Sequence, residues 1–189
     1  MSAFAQAQHD QMLAALIIPG YVVALDLTAS PPMCRVSNGD GWTSAWVRWH
    51  SIAAGKARHW RAPSMGEQGV LFSPSGDPAQ GTFVPGLYGN AGAQPDNRDH
   101  VEVWRFDDGG SLVYDWEAKS YTITLPTGTV TVKVGGAELA VTDNAITGKA
   151  ASIKWIGPTE IDGTLRVTGD ITGLGKIIDT GGNTPNHKH

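Results

Sequence analysis

The sequence predicts a mainly β protein made of two unlike parts, and three observations predict it. Glycine is abundant, at 24 of 189 residues, while only 17% of residues are charged; helical bundles and coiled coils show the reverse. Short alternating runs rich in Val, Ile, Thr and aromatic residues recur between Gly-, Pro- and Asn-containing breakers. The composition also changes abruptly near residue 120. Residues 1–119 hold six of the seven tryptophans and three threonines, whereas residues 120–189 hold one tryptophan and thirteen threonines. The first part therefore reads as a core packed with large aromatics, the second as one of small β-branched side chains.

The 41% hydrophobic content suffices for a core, and the length fits one large domain or two small ones. A net charge of −4 argues against a protein that coats nucleic acid along its whole surface. A single cysteine, Cys34, excludes a stapled disulfide scaffold. The first basic residue is Arg35, so the early positive charge of a leader is missing. The longest apolar stretch, residues 12–25, is interrupted by Pro19-Gly20 and is too short to span a bilayer. The expectation is a protein that is soluble when made.

In chain order, residues 2–18 read as a helix, with Met12, Leu13, Leu16 and Ile17 on one face and Pro19-Gly20 as its stop. It either docks on its own domain or binds a partner. Five strand-like runs follow, at residues 21–27, 34–37, 42–50, 69–73 and 82–88. Five short strands in about seventy residues suit a small closed barrel, because closure removes exposed edges; the five-stranded OB-fold is the expected form. Residues 89–99 read as a linker. Residues 100–106 and 111–117 flank Asp107-Asp108-Gly109-Gly110 and predict a hairpin.

Beyond Lys119 the pattern repeats in units of four to six residues at 121–125, 129–134, 138–142, 151–156, 159–162 and 164–173. Turns fall between them, among them Gly135-Gly136, Asp143-Asn144 and Thr147-Gly148. Val130, Val132 and Val134 share one face; Thr129, Thr131 and Lys133 share the other. So thin a ribbon cannot stand alone. Ordering costs roughly 1.5 kcal/mol per residue, and burial returns only ~25 cal/mol per Å². The ribbon must stack on itself or wrap with copies of itself. The favoured arrangement is an intertwined triple-stranded β-helix formed by three chains; twofold and single-chain arrangements are the alternatives.

The chain carries Asn186-His187-Lys188-His189. In an extended segment His187 and His189 project to the same side. Three chains around an axis would bring six imidazoles together, a set that suits octahedral iron or nickel better than tetrahedral zinc. A solvated tail is the alternative.

Residues 42–61 hold four tryptophans, the basic residues Arg48, Lys56, Arg58 and Arg61, and no acid. They read as barrel core with solvated cations, or as a surface for single strands or sugars. Alternation puts Trp42 and Trp46 on one face and Trp49 on the other. Cys34 reads as a core thiol. His50 and His59 have Asp40 and Glu67 as possible partners, but no nucleophile motif, phosphate loop or zinc-protease motif is present, so no enzyme activity is expected. Residues 96–99 and Asp107-Asp108 read as turns rather than calcium loops.

Several segments together resemble one known family. They are Trp46, Arg48 and Trp49; Ala53, Gly55, Arg58 and Trp60; Ala62-Pro63-Ser64 with Gly66-Glu67-Gln68; Phe83, Val84, Pro85, Gly86 and Tyr88; the hairpin from Arg105 to Tyr114; and His187-Lys188-His189. This set is similar to baseplate assembly protein V of contractile phage tails, with relatives in R-type, pyocin-like bacteriocins. The resemblance implies a homotrimeric central spike with no enzyme activity. It would attach to tail tube and baseplate hub proteins and pierce the bacterial outer membrane mechanically. It implies an iron ion, one per trimer, held by His187 and His189 of each chain, with calcium and chloride ions inside the β-helix in some members. It further implies synthesis in the bacterial cytoplasm without a signal peptide, assembly into a phage tail or bacteriocin particle, and no nucleic-acid partner. The expected layout is an N-terminal helix (1–19), an OB-fold domain (20–95), a triple-stranded β-helix (96–175) and a tip with the His-x-His site (176–189). The rival reading is an oligonucleotide- or oligosaccharide-binding OB module on a trimerising β stalk.

Overall fold

The computed structural model describes residues 3–176. The chain divides into two compact units, Met1–Pro126 and Thr127–His189.

The first unit opens with helix α1 (Ala3–Ala14), none of whose residues is buried. It rests on a 3-10 turn at Pro74–Gly76. The helix is shorter than the sequence predicts, and Pro19-Gly20 is not its stop. Strand β1 (Ile17–Asp26) already starts at Ile17 and runs through that dipeptide. Two local preferences explain the difference. Pro19 drives the preceding Ile18 into extended conformation, and Ile17-Ile18 is a β-branched pair. Ile17 to Tyr21 then pair with Phe72 to Gln68. Gly20 is needed for packing: a Cβ there would lie 2.6 Å from the Ser37 carbonyl oxygen and 2.7 Å from Val36 Cγ1.

Strands β2 (Met33–Ser37), β3 (Arg48–Trp49), β4 (Gln68–Phe72) and β5 (Thr82–Leu87) complete a five-stranded sheet in the order β2-β1-β4-β5-β3. β3 and β5 are parallel and the other neighbours antiparallel. A bridge between Cys34 and Val47 carries the chain from β2 towards β3. The neighbour relations thus run β1-β2-β3-β5-β4-β1, the nearly closed Greek-key barrel of an OB-fold.

The barrel core is Val22, Cys34, Val36, Val47, Leu71 and Phe83, with Ile18, Leu25, Trp42 and Trp49 packed against it. This corrects the expectation of an aromatic core. So small a barrel has room for aliphatics and one phenyl ring, and the indoles sit at its rim. Trp46, Trp60, Trp104 and Trp116 are exposed. The run 42–50 is also not one strand. It makes isolated bridges at Thr43 and Val47 before the two residues of β3, so strict alternation fails and Trp42 and Trp49 both face the core.

A three-stranded meander follows, β6 (Val101–Arg105), β7 (Ser111–Asp115) and β8 (Ser120–Thr124); β6 and β7 form the predicted hairpin, with Arg105 opposite Ser111 and Val101 opposite Asp115. The second unit begins with another meander, β9 (Thr129–Val134), β10 (Ala137–Thr142) and β11 (Ile146–Lys149). β11 was expected as a turn at Thr147-Gly148; instead Ile146 to Lys149 pair with Val141 to Glu138. Conversely, the runs at 151–156, 159–162 and 164–173, expected as strands, carry no ladder within the single chain. No helix among the described residues is long and apolar enough to cross a membrane.

Candidate trimerisation surface

The β9–β10 register decides which side chains share a face. Val130 is opposite Val141, Val132 opposite Leu139 and Val134 opposite Ala137, while Lys133 faces Glu138. Cross-strand partners point to the same side. One face of the ribbon is therefore an aliphatic row, and the other carries threonines and the 3.7 Å ion pair of Lys133 with Glu138. The aliphatic row is not covered by any of the described residues. Among the described residues of the second unit none is buried, Val134 is 76% exposed and Trp155 81%. Val132, Val134, Leu139, Ile153 and Trp155 line an open groove of about 300 Å³. Beyond it, Ile156, Ile161, Leu165, Val167 and Ile171 are all exposed. So many exposed aliphatics, grouped in part around one groove, mark an interaction face.

The segment carrying most of the family resemblance is a structural clamp. Arg61 donates from Nη1 and Nη2 to the two carboxylate oxygens of Glu67, at 2.8 and 2.7 Å. The Ser64 amide donates to the same carboxylate at 2.8 Å, and the Glu67 amide returns a bond to the Ser64 carbonyl at 3.0 Å. Gly66, at φ +79, turns the chain there. Gly66 then donates to the Val22 carbonyl and Val22 to the Glu67 carbonyl, tying the turn to β1. Pro63 beside it is fully buried. Partial burial pushes the Glu67 pKa up, but the Arg61 bonds, the Ser64 amide and the Arg61 charge outweigh it, and the pKa lies below its ordinary 4.5. The same pair raises the Arg61 pKa. Sequence reasoning offered Glu67 to a histidine, but it belongs to Arg61. The His59 ring lies 3.5 Å from Ser51 Oγ and edge-on to Trp104 at 6.0 Å.

Sequence reasoning also missed a second cluster. Asp115 sits at the end of β7, where hairpin register places it beside the residues just before β6. It receives Arg98 Nη1 at 3.2 Å, contacts His100 Nδ1 at 3.1 Å, and accepts from the amides of Glu117 and Ala118. Its pKa is lowered, chiefly by the Ala118 amide. Arg98 reaches back to Asp96 as well, and His100 Nε2 lies 3.2 Å from Glu117. The predicted turn at Asp107-Asp108 is present, whereas of residues 96–99 only Asp99 lies in a turn, the Asp96 carboxylate accepting from the amides of Asn97 and Arg98. In the ladder Asp115 is opposite Val101, so its contact with His100 is a diagonal one that counting outward from the Asp107–Gly110 turn does not give. Cys34 is the core thiol expected, and burial pushes its pKa up to about 11.

His187 and His189 lie outside the described residues. Among the described residues no group of three or more histidine, cysteine, aspartate or glutamate side chains is placed to hold a metal ion.

An OB barrel followed by an uncovered β ribbon defines a class, a small barrel module carrying a trimerising β-helical stalk. Comparison with known proteins agrees on both halves. Residues 18–88 match the family described as the type VI secretion system/phage-baseplate injector OB domain. Residues 102–173 match the Gp138 beta helical trimerization domain. The spike protein of Escherichia phage P2 is 31% identical over 176 residues, covering 88% of this chain and 80% of that protein. The chain belongs to the family of phage spike proteins.

Proposed function

We propose that the chain forms a homotrimeric central spike of a contractile injection particle, seated at the baseplate hub under the tail tube, that pierces the bacterial outer membrane mechanically. The observation that carries this reading is the aliphatic row of β9–β10 together with the exposed aliphatics out to Ile171, which none of the described residues covers. Three braided copies would bury it on a common axis. No chain could then leave without breaking contacts to two others, and that resistance is what a point driven through a membrane requires.

The donor set at the end of the sequence fits an iron tip. Two imidazoles at i and i+2 in each chain, His187 and His189, give six nitrogens in a trimer, the hard-to-satisfy number for zinc and the ordinary one for octahedral iron. Iron bound there would tie the three chains together at these histidines. Its test is elemental analysis of the intact protein and of the double variant His187→Ala, His189→Ala. The expected result is about one iron per three chains in the first and none in the second, with both still trimeric; equal iron contents contradict the assignment. For the piercing role, particles carrying this chain should release dye from outer-membrane lipid vesicles on sheath contraction. Release that persists when the stalk after residue 126 is deleted contradicts it.

A further inference from the structure

The barrel unit carries a groove that the clamp and the stalk do not use. It lies between Pro31-Pro32, in the β1–β2 connection, and the loop that leaves β3, and its volume is about 370 Å³. Trp49 and Trp60 form its apolar wall, with ring centroids 5.8 Å apart and planes tilted by 51°. Arg48, Arg58 and His59 stand around it. Trp60 is 64% exposed, so the wall is open to a partner. Among the described residues Arg48 and Arg58 make no ion pair, and residues 41–66 contain no acid.

From this juxtaposition we infer that the groove docks an acidic protein segment that inserts one apolar or aromatic side chain between Trp60 and Pro31-Pro32 and sets its carboxylates against Arg48 and Arg58. The charge argument is local: Arg48 and Arg58 line the groove without an ion pair among the described residues, in a chain of net charge −4, so positive charge is concentrated at this mouth. The volume sits near the small end of the ~300–1,000 Å³ range of ligand pockets and suits a single inserted side chain. The geometry disfavours a nucleic-acid strand. Tilted rings do not present the successive parallel faces on which bases stack. Arginine and tryptophan at the mouth of a pocket are the residue types that dominate protein–protein hot spots. The groove is complete within one chain, so the inference stands apart from the trimer and from the metal.

The test uses the full-length protein. The probe is the pentapeptide acetyl-Asp-Glu-Phe-Asp-Glu-amide, which leaves tryptophan fluorescence free to report. The expected result is a saturable fluorescence change, weakened about tenfold or more in Arg58→Glu, reduced by salt, and abolished in Trp60→Phe. The same peptide with alanine for phenylalanine should bind several-fold more weakly, since the apolar anchor is lost. The inference is overturned by no saturable change with the acidic peptide, or by unaltered binding to Arg58→Glu. It is also overturned if oligothymidylate binds more tightly than the peptide, which would make the groove a strand-binding surface. A lower solution mass for Arg58→Glu or Trp60→Phe would overturn it too, by showing that a second copy of the chain covers the groove.

Discussion

Replacing Trp155 by alanine removes the largest uncovered side chain of the stalk without touching any contact of the barrel. An aromatic side chain buries roughly 150–250 Å². With 81% of Trp155 open in the single chain, some 120–200 Å² is available to neighbouring copies. At ~25 cal/mol per Å² that amounts to about 3–5 kcal/mol per chain, and threefold symmetry repeats it, giving roughly 9–15 kcal/mol per trimer as an upper bound. The assay is thermal unfolding over a wide range of protein concentration, followed by circular dichroism, with sedimentation velocity on the same samples. Trp155→Ala should lower the stalk transition, make it concentration-dependent, and release monomers on dilution, while Trp155→Phe recovers most of the loss. The barrel transition should stay where it was. If Trp155→Ala changes trimer stability by less than about 1.4 kcal/mol, a factor of ten in the equilibrium constant, the apolar face is not what holds the chains together and the reasoning fails.

Three further outcomes follow from the barrel. The Glu67 pKa is held below 4.5 in the folded state. The stability it contributes is fully present above that ordinary value and is lost as pH falls through the lower folded value. Acid titration of barrel stability should therefore decline below about pH 4.5, and Glu67→Gln should flatten the decline; an unchanged acid limb contradicts the clamp. Gly20→Ala would place a methyl 2.6 Å from the Ser37 carbonyl and should cost about 1–3 kcal/mol, read by urea denaturation, with a loss under about 0.5 kcal/mol counting against the packing described. Cys34 is fully buried, with its pKa pushed up to about 11, so it should resist thiol reagents until the barrel opens. Labelling of the native protein as fast as that of a small thiol would contradict its place in the core.

Much of this was legible in the sequence, because the local rules and the tertiary structure agree there. Alternation gave the two faces of Val130 to Val134, and the Asp107–Gly110 turn gave the hairpin. The barrel strands β2, β4 and β5 lie where the apolar runs place them. What escaped was set by contacts across the chain. Pro19-Gly20 looks like a helix stop, yet it lies inside β1 because β4 offers a ladder to Ile17 and Ile18. The tryptophans look like a core, but the barrel is too narrow for them. The Arg61–Glu67 clamp joins residues on a loop whose path no periodicity encodes. The runs beyond residue 150 alternate like strands but pair with none of the described residues, and they fall in the segment that matches a beta helical trimerization domain. The candidate metal ligands His187 and His189 were named from spacing and resemblance, and they fall outside the described residues.

Sedimentation equilibrium of the intact protein tests the central claim most directly. Three braided chains predict a mass three times the 20.0 kDa of one chain, unchanged on dilution to nanomolar concentration. A stable, cooperatively folded species of 20.0 kDa would contradict it.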